Sequence, residues 1–126
     1  MKKIINTPLA PVPIGPYNQA IKLENLIYLS GQIPVNPNSG KIEETDISSQ
    51  TRQVLCNIGV ILEEAGSSFS KIIKTTVFLV NMKDFSKFND IYATFFDHSS
   101  APARSTIQVA ALPLDSLIEI EVIAEC

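Results

Sequence analysis

Apolar residues in this chain recur with two different periods, and the longer period predicts two helices. Between Asp46 and Gly66 the apolar positions return every three or four residues, which predicts an amphipathic helix with Asp46 as its N-cap and Gly66 at its end. Asn81 is predicted to cap a second helix, whose stripe from Phe85 to Phe96 gives it a buried aromatic face and which ends near His98. Both patterns are typical of helices that pack on a sheet.

The remaining apolar runs are short and rich in β-branched residues, and they predict six strands. A two-residue loop, Glu24-Asn25, joins the second and third runs, so we expect a tight hairpin in which Asn25 adopts positive φ. The predicted order of elements indicates an α+β fold, a mixed six-stranded sheet with two helices on one face. The other face would be left for a partner subunit. The predicted strands are Lys3 to Asn6, Ala20 to Leu23, Leu26 to Ser30, Ile72 to Val80, Ser105 to Val109 and Leu117 to Glu125.

Composition restricts the class of protein. A chain of 126 residues with 45% hydrophobic and 18% charged residues indicates one folded domain, residues 1–126, with enough apolar surface to favour self-association. The formal charge of −3 argues against a nucleic-acid partner, and no apolar run approaches the roughly 20 residues that span a bilayer. Cys56 is predicted to be buried in the first helix, and the two cysteines suggest a reducing compartment. We therefore expect a cytoplasmic protein without a membrane segment.

Arg104 is the residue most suggestive of binding chemistry. It follows Pro102, which fixes the local backbone, and it stands at the start of a predicted strand, so its guanidinium should project from a defined place. A guanidinium is a planar fork that pairs with carboxylates or phosphates. From the residues alone, an ordinary surface arginine that makes a weak ion pair is the simpler interpretation.

Other candidates are similarly open. Tyr17 ends a turn and could be a rim aromatic; Gly31 could admit a ligand or simply end a strand; Glu119 shares a strand face with Glu121 and could be only a solvated carboxylate. His98 is interpreted as a charge at the end of a helix. As the single histidine, it leaves no basis for a histidine-based metal site or a Ser-His-Asp triad.

Several segments together resemble the RidA family, also called YjgF. They extend in order from near residue 7 to residue 124, so the resemblance covers almost the whole chain. The segments are Ile14-Gly-Pro-Tyr-Asn-Gln-Ala-Ile21, Leu29-Ser-Gly-Gln-Ile-Pro34, Leu55-Cys-Asn-Ile58, Ala65-Gly66, Ile73-Lys-Thr-Thr-Val-Phe-Leu79, Phe85 with Phe88-Asn89, Pro102-Ala-Arg-Ser105 and Ile118-Glu-Ile-Glu-Val-Ile-Ala124.

The resemblance implies a chorismate-mutase-like fold that assembles as a homotrimer, with an inner β-barrel and active sites between subunits. It implies a hydrolase acting on C–N bonds, a 2-iminobutanoate/2-iminopropanoate deaminase. Such an enzyme converts the enamines and imines released by pyridoxal-phosphate-dependent dehydratases, 2-aminoacrylate and 2-aminocrotonate, to 2-ketoacids and ammonia. This is a form of metabolite damage control. No cofactor or metal is implied for the protein itself.

The resemblance also implies roles for individual residues. Arg104 matches the carboxylate-binding arginine and Glu119 the glutamate that holds the attacking water, and we expect the two on neighbouring strands. The positions that match the substrate pocket are Tyr17, Ser30, Gly31, Asn89 and Thr106. Departures from the family pattern are Asn18, Thr106 and Ala101, and they bear on the size of the pocket. Two alternatives stay open: a non-catalytic trimer that senses small carboxylates, and a translation inhibitor or endoribonuclease.

Overall fold

The computed structural model describes residues 1–126 and contains eight regular elements, apart from short 3₁₀ turns. The strands are β1 (Lys3–Ile5), β2 (Ala20–Leu23), β3 (Leu26–Gln32), β4 (Ile72–Leu79), β5 (Ala103–Gln108) and β6 (Ile118–Glu125). The helices are α1 (Ile47–Glu64) and α2 (Phe85–Tyr92). Neither helix has the length and apolar character needed to cross a membrane.

The six strands form one sheet in the order β1-β2-β3-β6-β4-β5. All neighbouring strands are antiparallel except β4 and β5, which are parallel and are connected through α2. A parallel pair needs such a crossover, because its second strand must start at the same end of the sheet as the first. β1 and β5 form the two edges of the sheet. The predicted α+β class with two helices and a six-stranded mixed sheet is confirmed.

Helix α1 is positioned by its caps and its apolar stripe. The carboxylate of Asp46 accepts a hydrogen bond from the backbone N–H of Ser49 at 3.0 Å, and Gly66 adopts a left-handed φ of 81° after the last turn. The stripe that includes Ile58, Ile61 and Leu62 is fully buried against the sheet. These features agree with the sequence pattern.

The core lies on one face of the sheet. In β6 the side chains alternate, so that Ile118, Ile120, Val122 and Ala124 are buried while the residues between them are not. The opposite face has no layer of the same chain over it. There Tyr28 and Ile107 are 43% and 45% exposed. We call this uncovered side the open face and the other the helix face.

Three local predictions are wrong. Positive φ in the hairpin belongs to Glu24 (φ 55°), the first of the two loop residues, and not to Asn25. Cys56 is exposed, because it lies on the outer side of α1 beside Arg52. Asn81 caps a short 3₁₀ turn, accepting a hydrogen bond from Lys83 N–H at 2.9 Å, and α2 begins only after that turn.

Candidate functional site

Arg104 lies on the helix face at the edge of the sheet. In the parallel register it pairs with Thr75, whose side chain is buried toward α2, so the arginine side chain points the same way. Its Nη1 donates a hydrogen bond to Oδ1 of Asn89 in α2 at 2.8 Å. The structure thus brings Arg104 and Asn89 together, and the amide oxygen holds the guanidinium without neutralising it.

Three aromatic rings surround the guanidinium. Its central carbon lies 4.7 Å from the ring centroid of Tyr92, 5.4 Å from that of Phe88 and 5.6 Å from that of Phe85. A cation near such ring faces gains about 0.5 to 2 kcal/mol per contact. Sequence reasoning assigned these rings to the core alone; their spacing along α2 gave no sign that they also position a cation.

A second hydrogen bond fixes the ring nearest to the arginine. The hydroxyls of Tyr92 and Thr75 are 2.8 Å apart and buried. Burial raises the pKa of the Tyr92 hydroxyl, while the hydrogen bond to Thr75 and the charge of Arg104 act in the opposite direction. The phenol therefore stays protonated at neutral pH and serves as a neutral support for the arginine.

The guanidinium borders a cavity of about 410 Å³ between α2 and the segment that leads into β5. His98 belongs to this lining, in a 3₁₀ turn, and is not the end of α2 as predicted. No sequence signal placed it there, because the turn that carries it back toward α2 is set by tertiary packing. The cavity is lined by Asn89, Tyr92, Ala93, Phe96, His98, Ala101, Pro102 and Arg104.

Thr106 lies two residues beyond Arg104 on the same side of β5, paired with Val77. Its hydroxyl oxygen is buried and has no hydrogen-bond partner within the chain. Buried hydroxyls are normally satisfied, so this one is free to pair with a polar atom from outside the chain.

Glu119 lies elsewhere, on the open face. Glu119 pairs with Phe78 of β4, which lies three residues after Thr75, the partner of Arg104. Side chains an odd number of residues apart along a strand point to opposite faces, so Glu119 and Arg104 face opposite sides of the sheet. Its carboxylate rests against Gly31, where an added Cβ would stand 2.8 Å from the carboxylate carbon. Burial, and secondly the charge of Glu121, raise the pKa of the Glu119 carboxyl.

Gly31 sits at a register shift between β3 and β6, where only a residue without a side chain leaves room for Glu119. The neighbouring Ser30 is tied to the preceding segment: its hydroxyl donates to the carbonyl of Asn18 at 2.6 Å, and its N–H donates to the carbonyl of Gln19 at 2.9 Å. The predicted residues Ser30, Gly31 and Glu119 are thus brought together.

Tyr17 belongs to neither group. It is 49% exposed and its hydroxyl accepts a weak hydrogen bond from the N–H of Ile14 at 3.3 Å. Its ring lines an apolar groove with Ile33, Val35 and Leu114, among others. Within one chain, the tyrosine therefore contacts neither the arginine nor the glutamate.

One expectation about the site is wrong in geometry. Arg104 and Glu119 are not on neighbouring strands, since β4 lies between β5 and β6. The predicted residues divide into a helix-face group, Arg104, Asn89 and Thr106, and an open-face group, Ser30, Gly31 and Glu119, with Tyr17 in a separate loop. No three His, Cys, Asp or Glu side chains gather so that they could hold a metal ion.

The sequence and the fold of this chain define a known class. Residues 7–126 match the model of the family described as Endoribonuclease L-PSP, so the chain belongs to that family, the RidA or YjgF family, as the sequence motifs predicted. Among its relatives is a RutC family protein of Pyrococcus horikoshii, 54% identical over 124 residues that cover 98% of each chain.

Two further relatives are informative. The mouse protein named 2-iminobutanoate/2-iminopropanoate deaminase is 46% identical over 124 residues, which are 98% of this chain and 91% of the mouse protein. The crystal structure of a Rid family protein from Yersinia pestis, described as of unknown function, superposes with a TM-score of 0.97 at 52% identity and full coverage of both chains. The fold is thus that of experimentally determined Rid proteins.

Proposed function

We propose that this protein hydrolyses 2-imino acids, and the enamines that tautomerise to them, to 2-ketoacids and ammonia. The observation that carries the proposal is Arg104: an asparagine and three aromatic rings hold its guanidinium, while one side of it opens into a cavity. A planar carboxylate is the natural partner for such a fork. The name of the mouse relative supports an imine as the rest of the substrate.

In this proposal Arg104 binds the substrate carboxylate through two parallel N–H···O bonds, which orients the adjacent C=N bond. Asn89 is a positioning residue, because it fixes the guanidinium from the side. The unpaired hydroxyl of Thr106 is available to a polar atom of the same ligand. The arginine supplies orientation, and the chemistry needs a base.

Glu119 is the proposed base. Its raised pKa makes the ionised carboxylate a better proton acceptor than an ordinary glutamate. A water held by Glu119 gives one proton to the carboxylate while its oxygen bonds to the imine carbon; the π-electron pair of the C=N bond moves to nitrogen, which takes up a proton. In the resulting carbinolamine the amino nitrogen takes up a further proton and the hydroxyl loses its own, so that the C–N bond breaks with its electron pair going to nitrogen, and ammonia leaves as the ketone forms. No covalent nucleophile is required.

Because Arg104 and Glu119 face opposite sides of the sheet, the proposed site needs two copies of the chain. The surface for this contact exists: the open face exposes Tyr28 and Ile107, and the groove beside Tyr17 exposes Ile14 and Leu114. We propose a trimer in which the helix-face group of one copy meets Ser30, Gly31, Glu119 and Tyr17 of the next. Such a head-to-tail contact closes into a ring.

The activity is tested by coupling the protein to a threonine dehydratase and recording the rate at which the imine disappears and 2-oxobutanoate forms. We expect acceleration over spontaneous hydrolysis by the parent, and a loss of about 100-fold in kcat/KM for Arg104→Ala, the cost of a charged bidentate contact. Equal rates with and without the parent protein refute imine hydrolysis. If 2-oxobutanoate binds but no acceleration occurs, the protein is a carboxylate sensor instead.

The two-copy site is tested by mixing inactive variants. Arg104→Ala and Glu119→Gln are co-expressed, and the mixed oligomers are isolated with two different tags. Since each site would draw its arginine and its glutamate from different copies, each isolated mixed trimer should contain one intact site of three and show about one third of the parent activity. If mixed trimers stay as inactive as either variant, or if the parent sediments as a monomer, the site does not lie between copies.

A further inference from the structure

The loop between β1 and β2, which carries Tyr17, has little regular structure of its own. The hydroxyl of Tyr17 accepts one long hydrogen bond, from the N–H of Ile14 at 3.3 Å, and Gly15 between them adopts a left-handed φ of 118°. A loop of this kind keeps one conformation when groups outside its tip satisfy its backbone. Four of its residues have no N–H to contribute: Pro8, Pro11, Pro13 and Pro16.

Gln19, the last residue before β2, holds the start of this loop with one buried amide. Its side-chain oxygen accepts a hydrogen bond from the N–H of Thr7 at 2.7 Å. Its NH₂ group donates to the carbonyl of Thr7 at 3.0 Å and to that of Pro11 at 2.9 Å. The oxygen and both amide hydrogens are therefore used, and a buried polar group that is fully paired specifies a single arrangement of its partners.

The backbone around Gln19 also joins this loop to β3. The N–H of Gln19 donates to Oδ1 of Asn6 at 2.9 Å, and its carbonyl accepts from the N–H of Ser30 at 2.9 Å. The carbonyl of Asn18 accepts from the hydroxyl of Ser30 at 2.6 Å. Ser30 is thus held by the two residues that directly follow Tyr17.

These contacts connect Tyr17 with the open-face group inside one chain. Ser30 precedes Gly31, whose missing side chain leaves room for the carboxylate of Glu119. Tyr17 lies two residues before Gln19, so a displacement of Gln19 would move the tyrosine relative to Ser30 and Glu119. We call the hydrogen bonds of the Gln19 side chain and backbone the Gln19 clamp.

We propose that Gln19 is a positioning residue for the substrate site, and that its clamp fixes Tyr17 relative to Ser30 and Glu119 before the substrate binds. The inference rests on the proposed imine hydrolysis and on the proposed two-copy site. Gln19 is buried and acts through Tyr17, without touching the substrate. Because a preformed wall reduces the conformational entropy lost on binding, loss of the clamp should weaken substrate binding more than it slows the chemical step.

The diagnostic variant is Gln19→Met, which keeps a side chain of similar length and removes its three hydrogen bonds. The matched control is Gln50→Met. Gln50 is also buried, and its amide donates to the carbonyl of Glu44 at 2.9 Å and accepts from the N–H of Leu117 at 2.8 Å. Both variants should lower the urea midpoint, because both leave buried backbone groups unpaired. If Gln19→Met does not fold, Asn6→Ala removes one exposed hydrogen bond of the clamp and should change binding in the same direction.

Kinetics and binding measure the role of the clamp in the site. In the dehydratase-coupled assay Gln19→Met should raise KM by about tenfold and change kcat by less than about threefold, whereas Gln50→Met should change neither by more than about twofold. Calorimetry with 2-oxobutanoate should show the same rise of about tenfold in Kd for Gln19→Met, with or without turnover.

Two further measurements distinguish positioning from a general loss of stability. In a Tyr17→Ala background, Gln19→Met should raise KM and Kd by less than about twofold, because the residue through which Gln19 acts is then absent. Amide hydrogen exchange should be at least about tenfold faster at the N–H groups of Thr7 and Ser30 in Gln19→Met than in the parent. Unchanged exchange at both groups would overturn the role given to the clamp.

The outcomes separate this inference from the proposed function. If the parent hydrolyses the imine but Gln19→Met and Gln50→Met change KM equally, or if the effects of Gln19→Met and Tyr17→Ala on KM add in full, the inference is overturned and imine hydrolysis stands. A parent that hydrolyses no imine, yet binds 2-oxobutanoate through a clamp coupled to Tyr17, refutes the proposed function and supports the positioning role. A parent that shows neither turnover nor binding overturns both.

Discussion

Arg104 and Glu119 lie on opposite faces of the same sheet, with β4 between their strands. Arg104 is aligned with Thr75 on the helix face, and Glu119 with Phe78 on the open face. A sheet separates side chains on its two faces by its backbone, so these two groups cannot act on one small substrate within a single chain. Assembly is therefore a condition of the proposed chemistry.

Asn89→Asp should impair substrate binding more than Asn89→Ala. The new carboxylate would stand where the amide oxygen now accepts from Arg104 at 2.8 Å, and it would neutralise the fork that is meant for the substrate. We expect KM to rise by about tenfold or more for the aspartate variant, with a smaller change for alanine. Steady-state kinetics on both variants decide the matter, and a lower KM for the aspartate variant would contradict the role given to Arg104.

The rate of imine hydrolysis should fall at acid pH through the raised pKa of Glu119. The base acts when ionised, so activity increases as pH rises through that pKa, which lies above the ordinary value of 4.5 because of burial and then of Glu121. Glu121→Gln removes the like charge and should move the acid limb of the kcat/KM profile to lower pH. An acid limb that does not move in this variant would argue against Glu119 as the titrating group.

The Glu119 carboxyl also affects the stability of the fold, and its contribution to stability falls with rising pH while the activity rises. Since its folded-state pKa is raised, the folded protein binds this proton more tightly, and the contribution to stability is present below pH 4.5 and is lost as pH rises through the folded pKa. The free energy of unfolding of Glu119→Gln, taken relative to that of the parent, should therefore be higher at neutral pH than at pH 4. Urea unfolding of both proteins at the two pH values measures the difference.

Gly31→Ala should disturb Glu119 without unfolding the chain. An added Cβ would overlap the carboxylate, so Glu119 must move, and misplacing a reactive group by about 1 Å costs up to roughly 100-fold in rate. Thermal unfolding and kcat are the measurements. In a Glu119→Ala background the same glycine change should cost little stability, because the colliding group is gone; an equal cost in both backgrounds would point to a backbone effect instead.

Tyr92→Phe should destabilise the protein while leaving the ring beside Arg104. It removes the 2.8 Å hydrogen bond to Thr75 and leaves a buried hydroxyl unpaired, which costs about 1 to 2 kcal/mol. Adding Thr75→Val should recover much of that loss, since both polar groups are then absent. Denaturant unfolding of the four proteins gives the coupling energy, and additive losses would show that the pair does not interact.

Several features could be derived from the sequence because they depend on neighbours along the chain. The bounds of α1 and the strands agree with the apolar periodicity to within about two residues, as expected where one face is buried. The alternation in β6 correctly separated Ile118 and Ile120 from Glu119. The family motifs selected Arg104 and Asn89, which the structure joins by a hydrogen bond.

What the sequence could not supply depends on contacts between distant segments. The aromatic support of Arg104 and the place of His98 in the cavity arise from the packing of α2 against β5, and no local pattern encodes them. The insertion of β4 between β5 and β6 is decided by the sheet order. Periodicity therefore determined which side chains share a face of each strand, because that alternation is local. Only the tertiary structure decided that Arg104 and Glu119 lie on opposite faces of the sheet, because strand order and direction are set by long-range pairing.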